Sequence, residues 1–387
     1  MPERIYLDWN ATTPLRPEAR AAMTAAMDIA GNPSSVHAEG RQARRLMEDA
    51  REAAARAVGA APRNVVFTSG GTEANALALN PGLRAPAGPV GRLLVSAIEH
   101  PSVLAGGQFP HDAIRTIPVT PSGVIDLEAL HHMLADGPPA LVSVMAANNE
   151  TGALQPISEV ADIVHAAGSL LHVDAIQAFG KIPFNIRDLG ADLATVSAHK
   201  IGGPKGVGAL ILGAGAERLP PLLRGGGQER GRRAGTENVM GITGFGAALT
   251  TATTALEADR PRLERLRDRL ETGLRSAGDA QVFAGDVPRL PNTTLFTACG
   301  MKAETAVIGF DLEGISVSSG SACSSGKVQA SHVLRAMGVG SSAAQGAVRL
   351  SLGWSTQEAD IDCAIEAWRK LSRTLIKRSD ETVLERF

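Results

Sequence analysis

The chain has 387 residues, more than the ~250–300 at which a single hydrophobic core usually divides, so two packed units are expected and one small domain is excluded. Hydrophobic residues make up 44% and charged residues 20%, with a glycine and proline content that excludes extensive disorder and fibrous structure. The net charge of -2 provides no positive field for phosphate backbones, which removes the electrostatic case for nucleic-acid binding.

Targeting and redox signals predict a soluble cytoplasmic protein. The N-terminal residues MPERIYLDWN lack the basic-then-apolar pattern of a secretory signal, and apolar runs such as ALVSVMAA are shorter than the ~20 residues that span a bilayer. The three cysteines are odd in number and share no spacing typical of a zinc site. We therefore expect a reducing compartment and no contact with a membrane.

Helical and strand patterns alternate from residue 40 to about residue 215. Residues 40–59 place apolar side chains at helical spacing, namely Leu46, Met47, Ala50, Ala54 and Val58. Short apolar runs then recur around further helical segments such as ISEVADIVHAAG: VVFTS, RLLVSA, ALVSVMA, LLHVDA, LATVSA and GALILG. This alternation predicts a large α/β domain over residues 15–260, with a mostly parallel sheet covered by helices on both faces.

The rest of the chain, residues 1–14 and 261–387, is typical of a smaller α+β domain. Residues 245–280 are alanine-rich and then charge-patterned, which predicts one or two long helices that Pro261 should interrupt or begin. Three strand candidates follow: NTTLFTA, GISVSS and VRLSLG. A last helix opens on the capping-box pattern Ser355–Glu358.

Polar residues follow the apolar strands, where the loops of a parallel sheet meet at one edge. After VVFTS, the turn Ser69–Glu73 contains two glycines and a threonine, which suits either a phosphate cradle or a tight turn with an ordinary cap. Later strand ends bring a flat ring, two amides and a carboxylate to this edge: His100, Asn149, Gln177 and Asp174. Each is weak alone, because a histidine there is as often structural and an aspartate often caps a helix.

A lysine-bearing loop after LATVSA is the most informative of these. It holds Ser197, His199 and Lys200 ahead of a glycine-rich turn, in a chain with seven lysines. A partly desolvated setting lowers the pKa of an amine, as a Schiff-base lysine needs, although a surface lysine in a turn is the other interpretation. A phosphate cradle, a ring partner, a carboxylate and a lysine together match pyridoxal phosphate. The 26-residue interval from Asp174 to Lys200 equals one strand–helix–strand step and predicts neighbouring loops.

Ten motifs, in order along nearly the whole chain, resemble those of the cysteine desulfurases of the NifS and IscS type. They are YLDWNATTPLRPEA, GNPSSVHAEGRQAR, FTSGGTEAN, EHPSVL, MAANNETGALQPI, HVDAIQAFGKIPF, SAHKIGGPKGVGAL, GGGQERGRRAGTENV, SGSACSSGK and SHVLRAMG. The resemblance implies a dimeric fold-type-I pyridoxal phosphate enzyme. One departure is Trp9, which stands in Asp8-Trp9-Asn10 where the family usually has asparagine and affects local packing.

The resemblance also implies which residues hold the cofactor. Lys200 binds its aldehyde covalently, Asp174 pairs with the pyridine nitrogen, and His100 stacks on the ring. Gln177 faces the ring hydroxyl or the substrate. The phosphate is expected to contact a set of small and polar residues, the last of them from the partner subunit: Gly71, Thr72, Ser197, His199 and Thr236.

Substrate and sulfur chemistry fall to three further residues by the same resemblance. Asn149 faces the ring hydroxyl or the substrate, and Arg349 binds the substrate carboxylate, unless it forms a helix-facing salt bridge instead. Cys323 lies in the loop SSGSACSSGK, a poor place for a structural cysteine, and is the expected nucleophile. Cys299 and Cys363 are expected to be buried structural cysteines.

The implied reaction moves sulfur from L-cysteine to Cys323, releases L-alanine and passes the persulfide to an acceptor, expected to be an iron–sulfur scaffold protein. A transient contact of Cys323 with an iron–sulfur cluster is the metal contact that the resemblance suggests. Two alternatives stay open on the same fold, an aminotransferase and a selenocysteine lyase. A third is a protein that keeps the pocket only to stabilise an assembly.

Overall fold

The structure, a computed structural model, describes residues 4–213, 216, 219–278, 280–320 and 331–384, with side chains in the last helix described to residue 374. The strands are β1 (Ile5–Tyr6), β2 (Val65–Thr68), β3 (Arg84–Ala85), β4 (Gly88–Pro89), β5 (Arg92–Ser96), β6 (Ile114–Ile117), β7 (Ala140–Met145), β8 (Leu170–Asp174), β9 (Leu193–Ser197), β10 (Gly208–Leu212), β11 (Gln281–Val282), β12 (Thr293–Thr297), β13 (Ile315–Ser316), β14 (Ser318–Ser319) and β15 (Val348–Ser351). The α-helices are α1 (Pro17–Ala26), α2 (Ala38–Val58), α3 (Gly71–Ala78), α4 (Pro101–Leu104), α5 (Leu127–Ala135), α6 (Ile157–Ala166), α7 (Val239–Gly278), α8 (Ala303–Leu312), α9 (His332–Ala336), α10 (Ser341–Gln345) and α11 (Glu358–Leu384).

A seven-stranded sheet in the order β2-β10-β9-β8-β7-β5-β6 forms the centre of the larger unit. The strands from β6 across to β9 pair in parallel, as the apolar runs predict. One apolar core, to which α2 and α7 contribute, covers one face, and a second core that includes α3 covers the other. The predicted α/β fold with a mostly parallel sheet is confirmed.

Two local predictions for this sheet are wrong. The GALILG segment forms β10, which runs antiparallel to both β9 and β2, because the ten residues between β9 and β10 are too few for the crossover that parallel strands require. Residues 175–192, all of them described, connect β8 to β9 through turns without a helix. Gly180 has φ +74° there, and Pro183 has no N–H to donate, so a helix is disfavoured. The two strands are nevertheless adjacent, as the interval predicted.

The smaller unit packs helices against a four-stranded antiparallel sheet in the order β11-β12-β15-β14, with β1 and β13 paired in parallel beside it. Its core centres on Phe296 and Trp368, whose rings meet edge-on at 5.0 Å. The predicted capping box is displaced, because α11 begins at Glu358 and Asp360 accepts the backbone N–H of Gln357 at 2.8 Å. The cap therefore lies two residues beyond Ser355.

One continuous helix, α7, joins the two units, so the prediction that Pro261 interrupts or begins a helix is wrong. The residues before Pro261 pack in the larger core and those after it pack in the smaller core. This packing on both sides stabilises the helix although Pro261 has no backbone N–H to donate. The predicted boundary at residue 260 falls inside α7. By length and composition α7 is the one helix in the described part of the chain that could cross a membrane, and 44% of its most apolar window is buried inside the protein.

A buried ion pair fastens the glycine-rich loop after β10 to the edge of the sheet. Arg51 of α2 donates through both terminal nitrogens to Glu229, at 2.8 Å each, and to the carbonyl of Val65 at 2.8 Å. Glu229 also accepts the backbone N–H of Phe67 at 3.0 Å. Glu229 has φ +46°, an uncommon conformation for a residue with a side chain, so these contacts hold a strained turn in place.

We predict that Arg51→Met lowers the free energy of unfolding by about 3–5 kcal/mol, because it leaves the Glu229 carboxylate buried without its partner. Urea unfolding followed by circular dichroism measures the loss. Arg56→Met on the same helix is the control, since its pair with Glu52 is exposed and should contribute less than about 1 kcal/mol. Equal losses in the two variants would contradict the prediction.

Candidate active site

The carboxyl edge of the seven-stranded sheet brings most of the predicted site residues together. β5, β7, β8 and β9 end there, and the chain leaves them toward His100, Asn149, Asp174 and Lys200 respectively. Asp174 is the last residue of β8, and Ser197 is the last residue of the neighbouring strand β9. A single 3₁₀ turn after β9, Ala198–Lys200, then presents the lysine.

Lys200 is held by backbone carbonyl groups of the N-terminal segment. Its Nζ donates to the oxygen of Asn10 at 2.5 Å and to that of Ala11 at 2.8 Å. Burial, followed by the nearby Arg349 cation, lowers the pKa of Lys200 to about 8, against the opposing effects of Asp8 and Asp174. About a tenth of the amine is therefore neutral and nucleophilic at pH 7, far more than for an ordinary lysine.

Asp174 is buried and accepts two hydrogen bonds. Asn75 Nδ2 donates to it at 2.9 Å, and the backbone N–H of Ile176 does so at 3.0 Å. Burial raises the pKa of Asp174, while these two donors, His100 and Lys200 act to lower it. The helix-cap interpretation of Asp174 is wrong, because residues 175–192 contain no helix.

A hydroxyl group behind the carboxylate fixes the direction of the Asn75 amide. Thr195 Oγ1 donates to Asn75 Oδ1 at 2.6 Å, so the NH₂ end must face Asp174. Thr195 in turn lies 3.4 Å from Nε2 of the buried His172, whose pKa burial lowers to about 3. His172 is therefore a neutral member of a polar chain that ends at Asp174.

His100 caps the short helix α4 and keeps one side of its ring in solvent. Its Nδ1 accepts the backbone N–H of Ser102 at 3.1 Å and lies 2.8 Å from the Ser102 hydroxyl. Because Nδ1 accepts, the proton of the neutral ring lies on Nε2. Burial lowers the pKa of His100; Asp174 opposes this shift, while the Lys200 cation and His332 add to it. The contact with Ser102 is therefore the kind of hydrogen bond that the structural interpretation of His100 predicted. The ring stays neutral at pH 7.

A cradle for an anion lies where β2 meets α3. No side chain caps α3, which begins at Gly71 after Gly70 at φ +155°, so its first amides are available to an anion. Ser197 Oγ is buried there without a partner among the described residues. Burial and the neighbouring lysines lower the pKa of His199 to about 4, so its imidazole is neutral. An uncapped helix with an orphaned hydroxyl fits a phosphate group, as pyridoxal phosphate requires.

Arg349 lies on β15 and points its guanidinium into the same region. Nη2 pairs with Asp8 at 2.8 Å, and Nη1 donates to the backbone oxygen of Asn149 at 2.9 Å. Nε is buried and has no partner in the described part of the chain. The predicted helix-facing salt bridge is absent from these contacts, since the partner Asp8 lies on the N-terminal segment. The Nε edge remains available to an anion such as a carboxylate.

The comparisons with known proteins agree along nearly the whole chain. The family description "Aminotransferase class-V" matches residues 5–363. The chain belongs to the class-V aminotransferase family. It is 45% identical over 372 residues to a cysteine desulfurase of Cereibacter sphaeroides, covering 94% of each protein. A solved structure of a NifS-like protein from Rickettsia africae ESF-5 is 39% identical with a TM-score of 0.87, covering 95% of this chain and 99% of that one.

A third relative is a solved structure described as SspA in complex with cysteine, 30% identical with a TM-score of 0.77, covering 90% of this chain and 98% of that one. These likenesses confirm the predicted resemblance to cysteine desulfurases, the enzyme class and the pyridoxal phosphate cofactor, and none favours the aminotransferase or lyase alternatives. The assignment of individual residues stays a prediction.

Two predicted residues are not among those that the described contacts bring together. Thr236 is exposed and lines a groove of about 420 Å³ with residues 26–27 and 29–33, and its expected role, reaching across from a partner subunit, stays a prediction. Cys323 lies outside the described residues, as do both of its expected roles, in sulfur transfer and in transient cluster contact. Among the described residues, no group of three or more His, Cys, Asp or Glu side chains could hold a metal ion.

The prediction that Cys299 and Cys363 are buried is wrong, since both are exposed. Cys299 lies in a turn after the end of β12. Cys363 lies on the solvent-facing side of α11, while Ile361 and Ala364 of the same helix face the core. An apolar sequence neighbourhood therefore did not fix the side of the element on which each thiol lies.

Sequence reasoning missed several residues of the site: Asp8, Asn10, Asn75, Lys181 and Thr195. Four of the five lie outside the loops after the strands, so the strand-end rule could not select them. Asp8 and Asn10 do belong to the opening motif YLDWNATT, which was the available signal. Their roles emerge from contacts with residues more than 100 positions away.

We predict that the apoprotein takes up pyridoxal phosphate at a rate that rises with pH through a midpoint near 8, because only the neutral Lys200 amine attacks the aldehyde. Arg349→Met should move this midpoint to higher pH, since it removes a cation that lowers the lysine pKa. Stopped-flow absorbance measures the rates. Arg289→Met is the control, because Arg289 pairs with Glu271 instead. A wild-type midpoint near the ordinary lysine value of 10.5 would contradict the prediction.

Proposed function

We propose that this chain is a pyridoxal phosphate-dependent cysteine desulfurase that converts L-cysteine to L-alanine and leaves the sulfur as a persulfide on Cys323. The observation that carries the proposal is the likeness to cysteine desulfurases over nearly the whole chain, 45% identity in one relative. The paired Lys200 and Asp174 at adjacent strand ends supply the chemistry that such an enzyme needs.

In this proposal the described residues surround the cofactor on every side. Lys200 would bind the aldehyde, Asp174 would keep a proton on the pyridine nitrogen, and His100 would lie against the ring. Gln177 would donate to the ring hydroxyl oxygen. The phosphate occupies the cradle formed by Gly71, Thr72, Ser197 and His199, with Thr236 of a second subunit. When bound, the cofactor supplies an electron sink that acidifies the Cα–H bond of an amino acid.

Substrate binding falls to the opposite wall of the site. The substrate carboxylate takes the free Nε edge of Arg349, and Asn149 borders the same space through its backbone contact with that guanidinium. Lys200, whose amine is partly neutral near pH 8, accepts the Cα proton. His100, neutral with its proton on Nε2, is placed to pass a proton to or from the substrate.

Sulfur transfer then uses Cys323. Its thiolate attacks the substrate sulfur, so that an S–S bond forms while the C–S bond breaks and its electron pair remains on carbon. Protonation of that carbon, Cβ, and return of the proton held by Lys200 to Cα give alanine. The persulfide passes to an acceptor, for which an iron–sulfur scaffold protein in the cytoplasm is our proposal, and a transient cluster contact at Cys323 accompanies that transfer.

We predict that Cys323→Ser still binds L-cysteine but forms no persulfide, because a hydroxyl is a far weaker nucleophile than a thiolate at neutral pH. Mass spectrometry after incubation with L-cysteine should find one added sulfur on Cys323 in the native protein and none in the variant. Cys299→Ser and Cys363→Ser are matched controls, since both thiols are exposed and should carry no sulfur.

Lys200→Ala completes the test of the proposed function. It should keep the fold but lose the covalent link to the cofactor, which borohydride reduction and peptide mapping detect. A label on Lys205 or another lysine would overturn the Lys200 assignment.

The Cys323→Ser variant has its own contradicting outcome. Undiminished alanine and sulfide production by that variant would move the function toward a lyase without a protein nucleophile.

The active form in this proposal is a homodimer, as the resemblance to cysteine desulfurases implies, with the exposed Thr236 of one subunit reaching the phosphate site of the other. We predict that mixing Lys200→Ala chains with Thr236→Ala chains restores part of the activity, since some mixed dimers contain one intact site. Activity assays on the mixture, with each variant alone as the control, measure the recovery. Activity in an isolated monomer by light scattering would contradict the prediction.

A further inference from the structure

Lys181 is a buried lysine that the reaction outlined above does not use. It lies in the turn after β8, and its Nζ donates to Gln177 Oε1 at 2.5 Å and to Asn10 Oδ1 at 3.1 Å. In the described part of the chain no carboxylate lies within ion-pair distance of it. The charged groups that act on it most are the cations of Lys200 and Arg349, which together with burial lower the pKa of Lys181. Burying an amine without a charged partner costs free energy unless hydrogen bonds compensate, which makes the two bonds of Lys181 the feature to explain.

The two ends of the Gln177 side chain are distinguished by their partners. Its nitrogen donates to the Asn10 carbonyl at 2.8 Å, the same oxygen that receives Lys200 Nζ at 2.5 Å. A carbonyl can only accept, so the amide nitrogen must face it, and the amide oxygen must face Lys181. The NH₂ group of Gln177 is therefore turned toward Lys200, and its second hydrogen has no partner among the described residues.

We propose that Lys181 is a positioning residue that locks the amide of Gln177 with its NH₂ group facing the ring oxygen of the cofactor. The inference rests on the proposed cofactor site. Without the lysine, the buried amide oxygen would lose its donor, and rotation of the amide would place that oxygen against the ring oxygen. Lys181 thus acts through Gln177 and touches neither cofactor nor substrate.

The test follows the pH midpoint of the visible absorption band in the loaded enzyme. A donor to the ring oxygen favours the deprotonated form, so loss of the donor raises the midpoint. We expect Lys181→Met to raise it by about 0.5–1 pH unit, the size of one net hydrogen bond. Gln177→Leu should raise it similarly, and the double variant should show no further rise. Lys181→Arg, which keeps a donor, should return the midpoint toward the native value.

The matched control is Lys302→Met, which removes an exposed lysine of the smaller unit and should leave the midpoint unchanged. An unchanged midpoint in Lys181→Met, with a shift in Gln177→Leu, would overturn the inference while the proposed function stands. The inference would also be overturned if Lys181→Met shifted the midpoint equally in the native protein and in the Gln177→Leu variant, because the lysine would then act through its charge or packing. If Gln177→Leu itself causes no shift, the proposed role of Gln177 is wrong.

Should Lys181→Met fail to load, Lys181→Arg alone decides between the two roles. A native midpoint in that variant supports positioning through a donated hydrogen bond. A midpoint displaced as far as that of Gln177→Leu overturns it. Thermal unfolding of both apoproteins shows whether the fold persists, which separates a local change at Gln177 from a general loss of structure.

Discussion

The site depends on one short segment, residues 8–13, which crosses from the smaller unit to the sheet edge of the larger one. The Asn10 backbone N–H donates to Ser351 Oγ on β15 at 2.9 Å, while Thr13 donates twice to the carbonyl of His199, at 2.9 and 2.8 Å. Between these anchors, the carbonyls of Asn10 and Ala11 receive the Lys200 amine. The lysine is therefore positioned only when the N-terminal segment, β9 and β15 have come together.

Two buried carboxyl groups at this edge of the sheet differ in the number of donors that support their charged form. Glu99 accepts one backbone N–H, from Met145 at 2.7 Å, and its second oxygen has no partner within the described ranges. Burial and the neighbouring Asp174 raise the pKa of Glu99 well above its usual range. Burial also raises the pKa of Asp174, but donors from Asn75 and Ile176 and the nearby His100 and Lys200 act against that shift. The carboxylate form is therefore better supported at the strand end of Asp174, where a protonated ring nitrogen requires it, than at Glu99.

The chain sequence predicts the parts of this structure that follow from local periodicity and from the geometry of parallel sheets. Apolar runs located the strands, and the interval from Asp174 to Lys200 predicted adjacent loops correctly. Contacts that join distant segments leave no local pattern, so Asn10, which contacts residues more than 150 positions away, was missed. The direction of β10 and the unbroken course of α7 were mispredicted for a related reason: loop length decides the first and packing in two cores decides the second.

Trp9 shows how a departure from the family motif enters the electrostatics of the site. The indole is buried, meets Trp354 edge-on at 4.6 Å, and leaves no room for a side chain at Gly353, where a Cβ would lie 2.0 Å from the ring. Together with Lys181 and Lys200 it lines a cavity of about 40 Å³. An apolar wall at this place withholds solvent from both amines. Since desolvation is the largest cause of the lowered pKa of each lysine, the tryptophan contributes to lowering both pKa values and, at Lys200, to supplying the neutral amine that can act as a nucleophile.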